Sequence, residues 1–310
     1  MINDLVVKVA NLTVKFNSFY AVDDITFSVK RGEIFGFLGA NGAGKTTTIR
    51  VLCGLLYPNS GSVNVAGIDF KSESDERAIK QKVGYMSQRF TLYDDLTVAE
   101  NLTFIASLRG IDEKTYLKRQ SEILDFISFA RPLNSLVEDL PGGIRQQVSL
   151  AASLLHDPEI IFLDEPTAGV TPAMRSRFWE LIKKLARGGK TIFVTTHYMD
   201  EAEQCERIAL MRAGKIVALD TPSNLKKIAF PQKLYECEPK SEISYSYIKE
   251  LKSRQEFEYF EPFGLRFHAA FQKTPAAEDF KGSLGANFKI AEITPTLEDV
   301  FIKVTEGTPS

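Results

Sequence analysis

The chain has 310 residues, 44% hydrophobic and 25% charged, which is too long for one small domain and the ordinary balance of a protein that can bury a core. Its 38 basic and 40 acidic side chains leave a formal net charge of −2, so no general electrostatic pull toward nucleic acid or anionic lipid is expected. The three cysteines, Cys53, Cys205 and Cys237, are odd in number and lack metal-ligand spacing, which argues for idle or buried thiols in a reducing compartment. Apolar alternation opens the chain at Val7, Val9, Val14, Phe16, Ile25, Phe27 and Val29, predicting an antiparallel sheet. An apolar run of strand length, Glu33 to Leu38, enters a glycine-rich turn, and a helix is predicted from Thr46 to Leu56. Val83 to Met86 reads as a short strand.

From Thr97 to Ser128 the period becomes helical, and Gly143 to Leu155 predicts a further helix, so residues 89–156 are expected to form a helical lobe. A fully apolar strand (Ile160 to Leu163), a helix (Pro172 to Ala186), a strand (Thr191 to Thr195) and a helix near Met199 to Glu206 come next. Buried strands alternating with helices predict an α/β domain with a mostly parallel sheet, ending near Lys227. Beyond it, runs around Leu234 and from Phe257 to Phe271, a turn at Pro262-Phe263-Gly264, helices near Tyr245 to Leu251 and Ala276 to Leu284, and a strand at Phe288 to Ile293 suggest β-α-β-β-α-β. Residues 228–310 are therefore expected to form a small α+β domain of ferredoxin-like order, closed by a helix from Leu297 to Thr305. No window approaches the ~18 uncharged apolar residues of a membrane span, and the opening MINDLVVKVANL is unlike a signal peptide. Work at a membrane would go through a partner, and a cytoplasmic location is expected.

The sharpest motif is Gly39-Ala40-Asn41-Gly42-Ala43-Gly44-Lys45-Thr46, which fits G-x-x-x-x-G-K-[ST] between a predicted strand and a predicted helix. Glycines let backbone N–H groups turn toward a polyphosphate, and the helix adds its positive end. Lys45 supplies a cation for the β and γ phosphates, and Thr46 a hydroxyl for Mg²⁺. Ile160-Ile161-Phe162-Leu163-Asp164-Glu165 ends an apolar strand in two carboxylates, where α/β folds bind ligands. Asp164 is placed to hold Mg²⁺ through water, and Glu165 to polarise an attacking water.

Together these motifs resemble the ABC ATPase family, and the remaining landmarks come in that family's order over residues 5 to about 225. By resemblance, Gln88 is the glutamine that touches Mg²⁺ and senses a membrane subunit, and His197 the switch histidine on the γ-phosphate. Thr47 joins the phosphate loop, and Phe16 stacks on adenine, with Tyr20 as the fallback. Leu140-Pro141-Gly142-Gly143-Ile144-Arg145-Gln146-Gln147 resembles the signature segment. The resemblance implies that Pro141, Gly142, Gly143 and Gln146 meet the ATP held by an opposite subunit. Ala168-Gly169-Val170-Thr171 sits where the D-loop belongs. Pro141 stands for the signature serine and Thr171 for the D-loop aspartate, which puts the strength of coupling between sites in question. Thr171 followed by Pro172 also suits a plain helix cap.

Thr196-His197-Tyr198-Met199-Asp200-Glu201-Ala202-Glu203 and Pro295-Thr296-Leu297-Glu298-Asp299-Val300-Phe301 resemble the drug and antibiotic exporter branch, in which a separate permease carries the membrane helices. The resemblance implies an ATPase that pairs, as a homodimer or mixed cassette pair, around two MgATP and drives a permease. Its permease surface is expected around Arg89 to Leu96, where Phe90, Leu92 and Tyr93 are apolar for a loop. The alternatives are a non-transport ATPase of the same family and a regulatory ATP-binding subunit with low turnover. Balanced charge disfavours a nucleic-acid partner.

Overall fold

In a computed structural model, residues 4–88, 92–272, 284 and 286–306 are described. The opening alternation builds β1 (Leu5–Phe16) and β2 (Phe19–Lys30), antiparallel and joined by a turn whose Asn17 has φ 54°. Asparagine tolerates this left-handed backbone better than most side chains. With β4 (Ser60–Val65) and β5 (Ile68–Asp69) they form a sheet of order β2-β1-β4-β5.

The second sheet has β10-β9-β3-β8-β7-β6 order. It comprises β3 (Ile34–Leu38), β6 (Val83–Met86), β7 (Ile160–Asp164), β8 (Thr191–Thr196), β9 (Arg207–Arg212) and β10 (Lys215–Asp220). The β3–β8, β3–β9, β7–β8 and β6–β7 pairs are parallel. Every residue of β3, β7 and β8 is buried, which is why these strands read as continuous rather than alternating apolar runs. Phe27 of the first sheet meets Phe35, Phe37 and Phe193 of the second, with Phe37 and Phe193 edge to face at 4.8 Å.

The helices are α1 (Lys45–Leu52), α2 (Glu73–Lys82), α3 (Val98–Leu108), α4 (Glu113–Phe126), α5 (Gly142–Leu154), α6 (Pro172–Arg187) and α7 (Met199–Ala202). The helical stretch expected from Thr97 to Ser128 is two helices, broken at Gly110, whose φ is 68°. Helix α2 is not among the expected elements, although Ser72 and Asp75 form a capping box at its start. The helix expected to run to Glu206 stops at Ala202. Helix α5 approaches β6 closely: a Cβ on Gly84 would lie 2.4 Å from the Ser153 carbonyl oxygen.

The chain divides into two compact units, Met1–Leu219 and Asp220–Ser310. The division falls ahead of Lys227 because α8 (Pro222–Ala229) packs on α10 (Leu297–Glu306). In this second unit α9 (Tyr245–Ser253) accompanies a sheet of β11 (Leu234–Pro239), β12 (Phe257–Phe263), β13 (Arg266–Phe271) and β14 (Phe288–Ile293). Its order, β12-β13-β11-β14, is antiparallel throughout and puts β13 between β11 and β12, the split arrangement the sequence suggested. The helix expected at Ala276 to Leu284 lies, apart from Leu284, outside the described residues. Among the described residues, no helix is long and apolar enough to cross a membrane.

Candidate nucleotide site

Strands β3, β8, β7 and β6 lie side by side. Their carboxyl ends therefore deliver four loops to one edge of the sheet, where open α/β folds bind ligands. The loop after β3 carries the glycine motif. Gly39 has room for nothing more, since a Cβ there would sit 2.4 Å from the Met211 carbonyl oxygen. Gly44 has φ 106°, and its Cβ would lie 2.5 Å from the Ala21 carbonyl oxygen. Helix α1 starts with neither a side-chain cap nor an acidic residue in its first turn, leaving its N–H groups for an anion. Ala40, Asn41 and Gly42 form an exposed rim, Ala43 is buried, and Thr46 and Thr47 are half-buried.

Lys45 is buried. Its Nζ donates to the carbonyls of Gly39 at 2.7 Å and Ala40 at 3.1 Å, and lies 3.3 Å from Glu165 Oε1. Asp164, at the end of β7, accepts on Oδ1 from the hydroxyls of Thr195 at 2.6 Å and Thr46 at 3.1 Å. Its Oδ2 is buried and has no hydrogen-bond partner. Burial pushes the Asp164 carboxyl above its usual range, against the pull of those two hydroxyls. An unpaired buried carboxylate oxygen beside the Thr46 hydroxyl is the donor set a hard divalent cation takes, so these residues fit Mg²⁺.

Glu165 follows with φ 50°, a left-handed backbone unusual for a non-glycine residue. Its N–H holds that shape by donating to the Thr195 carbonyl at 3.1 Å and hydroxyl at 3.0 Å. Its carboxylate is approached by Gln88 Nε2 at 3.1 Å, from the end of β6, and by His197 Nδ1 at 3.3 Å, from the end of β8. The histidine contact lies outside hydrogen-bond geometry. Thus Lys45, Thr46, Gln88, Asp164, Glu165 and His197 come together. Thr195 joins them and was missed; two adjacent threonines at the end of a buried strand were the available signal.

Phe16 ends β1 half-exposed rather than in the core, opposite Phe19, and the exposed Tyr20 has the Lys15 ammonium 4.0 Å from its ring centre. This hairpin abuts the phosphate loop through Ala21, next to Tyr20. The signature segment stands apart. Pro141 is the N-cap of α5 and contributes no side-chain bond, Gly142 is exposed, and a Cβ on Gly143 would meet Met174 of α6 at 2.8 Å. Gln146 is buried with Oε1 unpartnered, and Gln147 with Nε2 unpartnered. Among the described residues, the groups found around Lys45, Asp164 and Glu165 come from the phosphate loop, Gln88, Thr195 and His197, none from 140–147. Thr171 caps α6, accepting from Met174 N–H at 3.4 Å, with Pro172 in the first turn.

A groove of about 670 Å³ runs past Leu55, Arg77, Gln81, Tyr85 and Leu108. Tyr93 and Phe104 pack edge to face at 5.2 Å, and both remain substantially exposed. Leu92 does not belong to this surface. It is buried, so local packing of the helical lobe claims it, while Arg89 and Phe90 lie outside the described residues.

The family model described as "ABC transporter" matches residues 22–168. The probable multidrug ABC transporter ATP-binding protein YbhF of Escherichia coli (strain K12) is 47% identical over 226 residues, 72% of this chain; the match spans 38% of that longer protein. The Nod factor export ATP-binding protein I of Rhizobium leguminosarum bv. viciae is 32% identical over 310 residues, covering 98% of this chain and 96% of its own. Among solved structures, a dimeric post-hydrolysis state of an ATP-binding cassette bound to ADP and Pi is 28% identical with a TM-score of 0.64. It covers 69% of this chain and 98% of that one. Glycine loop, paired strand-end carboxylates, glutamine and histidine thus occur in a chain that matches such a relative from end to end, and the chain belongs to the ABC transporter family.

Proposed function

We propose that this chain binds and hydrolyses ATP, pairs with a second cassette across two nucleotides, and drives a separate membrane permease in export. One observation carries the reading: Lys45, Asp164, Glu165, Gln88 and His197 arrive from four different loops at one spot, where Lys45, Asp164 and Glu165 are buried and Gln88 and His197 approach from the solvent side. Lys45 holds the β and γ phosphates, with the N–H groups of residues 39–47 around them. Thr46, Asp164 and Gln88 would hold Mg²⁺, which when bound neutralises phosphate charge. Glu165 orients the attacking water, and His197 faces the γ-phosphate. Phe16 takes the adenine face, with Tyr20 one step behind it on the same hairpin.

Pairing follows from a site in two pieces. Gly142, Gly143 and the start of α5 are built to receive an anion, yet none of segment 140–147 reaches Lys45 in its own chain. A second copy, or a related cassette, would bring that segment over the γ-phosphate, Pro141 supplying geometry but no hydroxyl. The permease would dock on the helical lobe, using the groove lined by Leu55 and Leu108 and the exposed Tyr93–Phe104 pair, whose apolar side chains suit a helix from a membrane protein. Residues 1–219 would form the motor and 220–310 an accessory α+β domain, placing the chain on the inner face of the cell membrane through its permease. Export rather than import comes from the names of the relatives.

Glu165→Gln tests the reading. It should retain ATP, hydrolyse it at a small fraction of the wild-type rate, and elute as a dimer in MgATP on size exclusion. A variant that stays monomeric, or turns over at the wild-type rate, removes Glu165 from this role.

A further inference from the structure

Two residues past Glu165 and one residue before His197, the chain is fastened to a single carboxylate that belongs to neither loop. Glu201, on α7, is wholly buried. Its Oε1 accepts a hydrogen bond from the Thr167 hydroxyl, and its Oε2 accepts from the Thr196 hydroxyl at 2.7 Å. The Thr196 hydroxyl in turn accepts from the Tyr198 N–H at 3.0 Å, shaping the turn that presents His197. Arg175 of α6 brings the balancing charge, its Nε 3.4 Å from Glu201 Oε1. The same guanidinium lies 3.8 Å over the Tyr198 ring, which packs 4.1 Å from the His197 ring. Asp200 completes the charged surroundings, 3.4 Å from Arg175.

A buried ion pair is a poor way to gain stability, because desolvation offsets most of the attraction; well-packed apolar side chains would serve as well. What a bidentate carboxylate adds is geometry, since each oxygen fixes one hydroxyl in distance and direction. Thr195 already ties the Glu165 backbone to β8. Glu201 extends that tie outward, to the segment leading into α6 on one side and to His197 on the other.

We propose that Glu201 is a positioning residue that locks the loop after Glu165 and the loop carrying His197 into one rigid unit, through Thr167 and Thr196. It touches no reactant and acts only through those two loops. The proposal rests on the roles given above to Glu165 and His197. Relaxing the lock lets either group drift, and displacement of about 1 Å in a reacting geometry costs on the order of 100-fold in rate.

The experiment compares Glu201→Gln, Thr167→Val and the double variant in the full chain. It measures melting, affinity for a fluorescent ATP analogue, and kcat and KM for ATP, with Glu165→Gln alongside. The amide keeps the size of Glu201 but forces a donor against one of two hydroxyls and removes the charge facing Arg175. The expected result for Glu201→Gln is analogue affinity within about twofold of wild type and kcat lower by roughly 10- to 100-fold. Thr167→Val should lower kcat by a smaller factor, and the two losses should not multiply in the double variant, because they break one network. A folded Glu201→Gln with wild-type kcat overturns the proposal. So does a loss of kcat that merely tracks loss of nucleotide affinity. If Glu201→Gln does not melt cooperatively, Thr167→Val decides, and wild-type kcat there is equally fatal. Wild-type turnover in Glu165→Gln would instead overturn the proposed function itself.

Discussion

Acid should loosen the seat of the signature helix, and His156 is the group through which this is measurable. Its Nε2 lies 2.9 Å from the Val83 carbonyl oxygen, joining the end of α5 to the start of β6, the strand that leads to Gln88. The Nδ1 is buried without a partner. Burial, followed by the nearby positive charge of Arg109, pushes the ring down to about 4 from a usual value near 6.5. Because the folded value is the lower one, the unfolded chain takes the proton first. Stability from this group is therefore complete above pH ~6.5 and falls as the pH drops toward 4. Between pH 8 and pH 5 the two values imply a loss of about 2 kcal/mol, and solvent reaching the half-buried ring reduces this to about 1–2 kcal/mol. In a unit this size that is roughly 2–8 °C in Tm. His156→Gln replaces the ring with an amide that does not titrate. Melting of wild type and variant at both pH values should show a smaller gap for the variant by that amount. The difference between the two proteins cancels every other titrating carboxylate. Equal gaps would refute the reasoning.

Two further outcomes are expected. Lys45→Ala should weaken binding of a fluorescent ATP analogue itself, unlike Glu165→Gln, because the cation aimed at the phosphates is gone and Glu165 loses its 3.3 Å partner; unchanged affinity would count against the cradle. A chain ending at Leu219 should still melt cooperatively and bind ATP, since the second unit has its own core around Cys237, Leu251, Phe260 and Phe288. Loss of the transition would show that the first unit depends on the second.

Much of this protein is written in short stretches of chain. The phosphate loop is legible because its chemistry needs contiguous residues: positive φ at Gly42 and Gly44, no side chain at Gly39, then lysine and threonine opening a helix. Strands β3, β7 and β8 are legible because both their faces are buried. Thr171 and Pro172 announced a helix cap, and one is there. What local pattern misses is pairing across distance. Leu92 looked like an interface residue among apolar loop neighbours, but which apolar residues a fold keeps for itself depends on what packs over them.

The same limit governs the site. No local rule says that Gln88 meets Glu165, 77 residues away, or that Thr195 holds Asp164 from 31 residues away. Strand order decides both, by setting β6, β7 and β8 next to one another. Glu201 reads in sequence as one acid among several at a helix start. Only when β7 and β8 stand side by side do Thr167 and Thr196 close on its two oxygens, because a buried carboxylate must find donors wherever the fold provides them.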